Sequence, residues 1–456
     1  MDLKGKRVLV AGLERTGLAT ARFCLARGAR VTVSELRAEA DVAAAARELR
    51  EAGAALEFGP HRAETFLEQD LIVPSPGVPL EIEPIVRARA RGITVWSEIE
   101  LAARFLRGRL IAITGSNGKT TTTLLTGHIL KHAGRQVLVG GNVGTPLISL
   151  VEDSTDDTVT VAEVSSFQLE AIADRFRPSI AALLNLTPDH LDRHPSVAAY
   201  AAAKARIFEN QRAEDAAVLN ADDPETVRLA PERPRLVWFS RRAPVEQGAC
   251  IEGGRIIFRS AGHAAGLLHR SDVPLRGEHN LENVLATAAI AILAGVAPET
   301  IREAVRDFPG VEHRLEFVAE ISGVAFYNDS KATNVDAALK AIEAFDSNLL
   351  VILGGKDKGG DFTPLAAPLS ARARLVLLIG AATEKIAAQL AGAVPMERAG
   401  TLDRAVALAV DRARPGDTVL LAPACASFDQ FRNYEHRGRV FKQLVNDIRS
   451  RVAAGG

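Results

Sequence analysis

The sequence has no Cys-x-x-Cys pair, and its three cysteines, Cys24, Cys250 and Cys425, lie far apart. That spacing argues against a disulfide framework and against a zinc knuckle, and it fits a reducing compartment. Net charge is nearly absent: 55 Lys and Arg against 56 Asp and Glu leave −1. A chain so balanced offers no electrostatic case for a nucleic acid or an acidic membrane as partner. Long apolar runs are missing as well, and none approaches the roughly 20 residues that span a bilayer. Lys4 and Lys6 precede an apolar stretch in the manner of a secretory leader, but the run Val8–Ala11 is too short and charged residues follow it. The expectation is a soluble cytoplasmic protein. What remains is an ordinary globular composition, 47% apolar and 24% charged. At about 150 residues per domain, 456 residues suggest about three domains.

Periodicity supports that division and an α/β fold class. The first region alternates strands (RVLVAG, RVTVSE, DLIVPS, ITVWS) with a helix over Leu18–Arg27 and an amphipathic, Ala-rich helix over Val42–Leu56. This is the βαβ rhythm of a parallel sheet. A charged helix near Ser97–Arg109 carries the chain to a second region with strands near QVLVGG, VTVAEV, SIAALLNL and AAVLN. Shorter, antiparallel-looking strands follow between Trp238 and Leu275, and a helix spans Leu281–Leu293. Asp307-Phe308-Pro309-Gly310 is a turn signal. Beyond it, LLVILGG, RLVLLIG and DTVLLAPA read as buried strands of a third α/β region. The predicted domains are 1–98, 99–309 and 310–456.

One stretch stands out. Ile111–Thr122 reads IAITGSNGKTTT, an apolar strand entering a glycine turn and then a helix. Backbone N–H groups of such a turn and the helix dipole favour anionic oxygens; Lys119 adds a point charge, and Thr120 offers a hydroxyl to Mg²⁺. The general phosphate-loop pattern would need glycine at 113, where Ile113 stands, but TGxxGKT after a strand still points to ATP. Glu163 ends strand TVTVAE, placed either for Mg²⁺ or to complement a helix dipole. His190 and His194 have the i, i+4 spacing of a zinc motif without its glutamate, so a zinc protease is not expected. Gly12-Leu13-Glu14-Arg15-Thr16-Gly17 imitates a dinucleotide fingerprint, but Glu14 fills the place of the second glycine. A diphosphate site and a purely structural turn both remain open there. Pro74–Val78 is another loop at a strand end. In the third region NDSKATN (328–334), GGKDKGG (354–360) and the segment 422–431 follow strands, and polar loops this dense suggest an edge for a second substrate.

Together TGSNGKTT, AEVSSFQLE, TPDHLDRH, AAKARIFEN, GEHNLENVLA, NDSKATN and PACASFDQF make the chain resemble the Mur ligase family across essentially its whole length. The resemblance implies three domains: an N-terminal Rossmann-like UDP-binding domain, a central P-loop ATPase domain and a C-terminal Rossmann-like domain for an incoming amino acid. It implies ATP-dependent joining of D-glutamate to UDP-N-acetylmuramoyl-L-alanine through an acyl phosphate, by a monomer with two Mg²⁺ ions. The implied nucleotide site is Gly115, Ser116, Asn117, Gly118, Lys119, Thr120 and Thr121, with Asn280 and Asn283 on the adenine side and Arg314, Asp329 and Lys331 at ribose and phosphates. Thr120 and Glu163 would hold one Mg²⁺. His190 and a carbamoylated Lys204 would hold the other. Thr16, Glu35, Leu36, Arg37, Ser75 and Gly77 would surround the uridine diphosphate, and Asn142, Ser165 and Gln168 would face the muramoyl-alanine arm. Thr333, Lys358, Ser427, Phe428 and Tyr434 would receive D-glutamate. Glu14 replaces the glycine usual in the family's first turn, and Leu36-Arg37 falls in a variable uracil-contact segment.

Overall fold

In the computed structural model, which describes residues 1–187, 193–357 and 359–455, the strands form three sheets among the described residues. The first contains β1 (Arg7–Ala11), β2 (Arg30–Glu35), β3 (Ala55–Phe58), β4 (Leu71–Pro74) and β5 (Thr94–Val95), all parallel in the order β3-β2-β1-β4-β5. The order reverses between β1 and β4, so their C-terminal ends flank the crevice where open α/β sheets bind ligands. The Ala-rich helix is shorter than expected. It ends at Glu51, Gly53 adopts a left-handed φ of 93°, and β3 begins at Ala55. Pairing with β2 overrides the helical propensity of that segment.

The second sheet contains β6 (Arg109–Thr114), β7 (Val137–Gly141), β8 (Val159–Glu163), β9 (Ile180–Leu183), β10 (Ala216–Asn220), β11 (Arg235–Ser240), β12 (Gly248–Glu252), β13 (Arg255–Ser260) and β14 (His263–His269). Its order is β14-β13-β12-β11-β10-β9-β6-β8-β7. The pairs from β7 to β12 are parallel, and β12-β13-β14 form the antiparallel extension expected after Trp238. Both sheets belong to one compact unit, Met1–Val273 with Leu281–Asp307. One apolar core joins them, from Val8 and Phe23 to Ile148, Phe176 and Leu219.

The other unit comprises Pro274–Asn280 and Phe308–Gly456. Its sheet contains β15 (Glu316–Ile321), β16 (Val324–Asn328), β17 (Leu349–Gly354), β18 (Ala373–Ile379), β19 (Met396–Gly400) and β20 (Thr418–Leu421), in the order β15-β16-β20-β17-β18-β19. Only β15 runs antiparallel. Alternate residues of β17 enter two different apolar clusters, Leu349, Val351 and Leu353 on one face and Leu350 and Ile352 on the other. A strand buried on both faces explains why its sequence is a continuous apolar run rather than an alternating one.

The helix Glu98–Ala103 leads from the first sheet to the second with two buried carboxylates. Glu100 accepts the N–H groups of Ala173, Arg175 and Phe176 at 2.9, 3.2 and 2.9 Å and pairs with Arg104 at 2.8 Å. Glu98 accepts the Ile148 N–H at 2.6 Å. Burial pushes the Glu98 carboxyl up to about 7, against the opposing pull of the Ile148 and Leu147 N–H groups and the Gln168 amide. A folded-state value above the unfolded one means that folding takes up protons, so the group's contribution to stability falls as pH rises through about 4.5 to 7. Glu98→Gln should therefore gain on the parent chain by about 3 kcal/mol between pH 4.5 and pH 8. Paired denaturant melts at the two pH values measure this; an advantage that does not change with pH would refute the assignment.

Candidate active site

The glycine turn lies where the second sheet reverses, β6 running between β8 and β9. Gly118 caps the helix Lys119–His132 with φ 83°. A Cβ there would meet Asn283 Oδ1 at 2.1 Å, so conformation and space both require glycine. The N–H groups of the helix's first turn have no intrahelical acceptor, which leaves them for an anion. The turn is held from behind by Asn185, missed in the sequence: its Oδ1 accepts the Asn117 N–H at 2.8 Å and its carbonyl accepts the Ser116 N–H at 2.9 Å. Ser116 Oγ donates to the Thr187 carbonyl at 3.0 Å and lies 3.1 Å from the Tyr200 hydroxyl.

Two ammonium groups converge on this turn. Lys119 Nζ donates to the carbonyls of Gly115 and Ser116, each at 2.9 Å. Lys204, on the helix Val197–Ala205, is 2% exposed and also donates to Gly115 O at 2.9 Å. Only the resemblance singles out Lys204 beforehand; the fold delivers it to the phosphate turn. Glu163 is the register partner of Ile113, which puts its carboxylate beside the start of the turn. Asn142 donates to Glu163 Oε1 at 2.7 Å, while Oε2 is buried and has no hydrogen-bond partner. A buried, orphaned carboxylate oxygen at the start of the turn fits an Mg²⁺ ligand set, since that ion takes oxygen donors from one or two carboxylates and substrate phosphates. Among the described residues no cluster of three or more His, Cys, Asp or Glu could hold a metal. His190 lies outside the described residues. His194 is buried, with Nε2 3.0 Å from Ser166 Oγ.

At the first sheet, the turn after β1 keeps two of the dinucleotide fingerprint's three glycines, Gly12 and Gly17, for geometric reasons. Gly12 has φ 87°, and a Cβ on Gly17 would lie 1.9 Å from the Gly12 carbonyl. Thr16 lies in the first turn of the helix Arg15–Ala26. Ser75, after β4, donates to that same carbonyl at 3.0 Å, and Gly77 is exposed next to it. Glu35 accepts the Leu13 N–H at 2.5 Å and Arg37 Nε at 2.9 Å. Burial opposes its charge, but the bonds from Arg37 and Leu13 hold the carboxyl down to about 2. Leu36 is exposed. Ser165 and Gln168 form a capping box, with Gln168 N–H on Ser165 Oγ at 3.2 Å and Ser165 N–H on Gln168 Oε1 at 3.0 Å.

In the other unit, the three polar loops follow β16, β20 and β17, which are neighbours in the sheet, as the edge argument required. Lys356 and Ala426 exchange backbone hydrogen bonds at 2.8 and 3.1 Å, zipping two of them together. A third tie was not legible in the sequence: Arg437, on the helix Tyr434–Gly455, is fully buried. It donates to Ser330 Oγ at 2.9 Å, Ser330 O at 2.8 Å and Cys425 O at 3.1 Å. Burial depresses the guanidinium to about 10. Lys331 reaches the Tyr434 hydroxyl at 3.1 Å. Arg314 stands between His313 and Leu315, both at left-handed φ (65° and 41°). Such strain in non-glycine residues is held only where surroundings enforce it. Burial drives the Asp329 carboxyl up to about 7 although Arg314 and Lys331 favour its charge. Thr333 is half-buried, Ser427 buried and Phe428 64% exposed. Asn280, in this unit, donates to Arg276 O at 2.6 Å, whereas Asn283 belongs to the first unit, where Thr122 Oγ1 donates to it at 3.4 Å. Lys358 lies outside the described residues.

Three family profiles match the chain: a MurD-like N-terminal domain of the Mur ligases over residues 6–97, the Mur ligase middle domain over 113–291, and the Mur ligase glutamate ligase domain over 313–425. The UDP-N-acetylmuramoylalanine–D-glutamate ligase of Acidobacterium capsulatum is 57% identical, covering 98% of this chain and 97% of its own. That of Koribacter versatilis is 54% identical, covering 98% and 99%. Among solved structures, the UDP-N-acetylmuramate-alanine ligase of Thermotoga maritima superposes with a TM-score of 0.60 at 19% identity over 97% of this chain and 99% of that one. The MurF ligase of Thermotoga maritima, solved with ADP, gives 0.59 at 17% over 98% and 96%.

Gly118→Ala should abolish nucleotide binding, because the added Cβ must displace Asn283 and strain a left-handed φ. Titration with an ATP analogue tests it; unchanged affinity would show that the turn is not the phosphate site.

Proposed function

The chain belongs to the Mur ligase family, and from that premise we propose how its residues carry out ATP-dependent addition of D-glutamate to UDP-N-acetylmuramoyl-L-alanine in peptidoglycan precursor synthesis. The observation that carries the reading is the left-handed glycine turn with two lysines on it and the orphaned Glu163 oxygen beside it.

A carboxylate does not condense with an amine at neutral pH, because oxide would have to leave. In our reading, the terminal carboxylate of UDP-N-acetylmuramoyl-L-alanine attacks the γ-phosphorus of ATP, forming an acyl phosphate and releasing ADP. The D-glutamate amine then adds to the acyl carbon, and phosphate leaves from the tetrahedral adduct. Attacker and γ-phosphate are both anionic, so the protein must offset their repulsion. Lys119 and the first-turn N–H groups serve the β- and γ-phosphates, and Lys119 leaves the Gly115 and Ser116 carbonyls to do so. Thr120 and Glu163 would hold Mg²⁺, with Asn142 fixing the carboxylate's orientation. An Mg²⁺ ion held there would supply positive charge to offset that of the phosphates. Lys204, as a carbamate, and His190 would make a second such site. Carbamoylation turns a cation into an oxygen donor of the kind Mg²⁺ prefers.

Residues 1–98 would bind the uridine diphosphate, residues 99–309 ATP, and residues 310–456 D-glutamate. The loops pinned by Arg437 present Thr333, Ser427, Phe428 and Tyr434 for that last role. Free, buried cysteines support a reducing cytoplasm as its location.

ADP release should require UDP-N-acetylmuramoyl-L-alanine and D-glutamate together; equal turnover with L-glutamate would overturn the substrate assignment. Lys119→Ala should cut turnover on the order of 10²–10³-fold, as for loss of one transition-state donor. Lys204→Ala should be nearly inactive and regain part of its rate when a short carboxylic acid is supplied. No recovery at any acid concentration would remove the carbamate from the mechanism.

A further inference from the structure

Between the loop after β4 and the phosphate turn runs a row of planar groups in contact, all within the first unit. Arg193 Nη1 donates to the Gly77 carbonyl at 3.1 Å, and its guanidinium carbon lies 4.6 Å from the centre of the Phe167 ring. Phe167 stacks on the His194 imidazole at 5.3 Å with 6° between the planes. His194 lies 5.2 Å from the Tyr200 ring at 58°. Beyond Tyr200, the hydroxyl is 3.1 Å from Ser116 Oγ and the ring is 4.6 Å from Lys204 Nζ. His194 and Tyr200 are 3% and 1% exposed, so the inner plates have no free volume to absorb a displacement.

We propose that this row couples the two nucleotide sites: a diphosphate bound at Ser75–Gly77 takes the Arg193 guanidinium from the Gly77 carbonyl, and the plates behind it set Tyr200, Ser116 and Lys204 for ATP. The inference rests on the substrate assignment above. Its driving force is chemical. Arginine binds a diphosphate by paired hydrogen bonds between opposite charges, where the bond it would leave is single and made to an uncharged carbonyl. Arg193 lies over the face of Phe167 and Phe167 stacks on His194, so a shift of the guanidinium displaces the imidazole, whose tilted contact passes it to Tyr200 through close packing. Phe167 and His194 touch neither substrate in this scheme; they are positioning residues.

Titration calorimetry with Mg²⁺ and a non-hydrolysable ATP analogue, with and without saturating UDP-N-acetylmuramoyl-L-alanine, tests the coupling. In the parent chain the sugar nucleotide should tighten analogue binding at least about fivefold, and reciprocally. Phe167→Leu keeps the bulk and loses the flat face; it should bind each ligand alone within about twofold of the parent while the mutual enhancement disappears. Phe167→Tyr restores the face and should restore the enhancement. If Phe167→Leu melts early, Arg193→Lys, which keeps charge without a plate, should lose it instead. Equal enhancement in the leucine variant and the parent overturns the proposal, as does a parent that binds both ligands independently. A parent that binds neither ligand refutes the ligase reading and this coupling with it.

Discussion

The carbonyl of Gly115 accepts hydrogen bonds from two lysine side chains, Lys119 from the following helix and Lys204 from a helix 80 residues further on. Concentrating cationic charge on one peptide oxygen in a largely buried place works against stability, since like charges repel and desolvation penalises both. The arrangement becomes favourable when something anionic is brought in. A triphosphate is one such group, and conversion of Lys204 to a carbamate is another, because it reverses the sign of one partner. The surrounding scaffold is built to hold this point still: Asn185 braces the turn, Asn283 backs Gly118, and Tyr200 closes the side.

A similar economy governs the other unit. The buried guanidinium of Arg437 ties two of its three polar loops to one helix. A planar group with five donors can satisfy carbonyls from separate segments at once, which a lysine cannot. Depressed by burial yet still far above neutral, Arg437 keeps its charge, and the carbonyls it collects are thereby fixed beside Ser427 and Tyr434.

Much of this was written locally. The phosphate turn, the strand-end loops and the buried strands of the third region are contiguous patterns, and they appear where periodicity put them. Other features depended on distant partners. The expected helix over Val42–Leu56 overruns the first two residues of β3, Ala55 and Leu56, because only pairing with β2 decides their state. Asn185, Tyr200, Arg193 and Arg437 are ordinary residues in their own segments, and their roles come from contacts tens of residues away. One signal was legible and overlooked: Ser165-x-x-Gln168 is a capping box by sequence, so both side chains carry a local hydrogen-bonding duty whatever else they contact.

The first turn shows why a near-match to a dinucleotide fingerprint is informative through its failure. Gly12 and Gly17 survive because φ and close approach demand them. Glu14, in the middle place, puts an exposed carboxylate 3.6 Å from Arg37 at the helix N-terminus, where a dinucleotide's pyrophosphate would need open backbone. Glu35, at the end of β2, stands where such folds offer an acid to a ribose, but its oxygens already serve Leu13 and Arg37. An acid held at about 2 by those partners stays charged at any physiological pH and fixes the turn rather than waiting for a cofactor. The sheet is thus Rossmann-like in its winding, while a carboxylate takes the place of the fingerprint's second glycine.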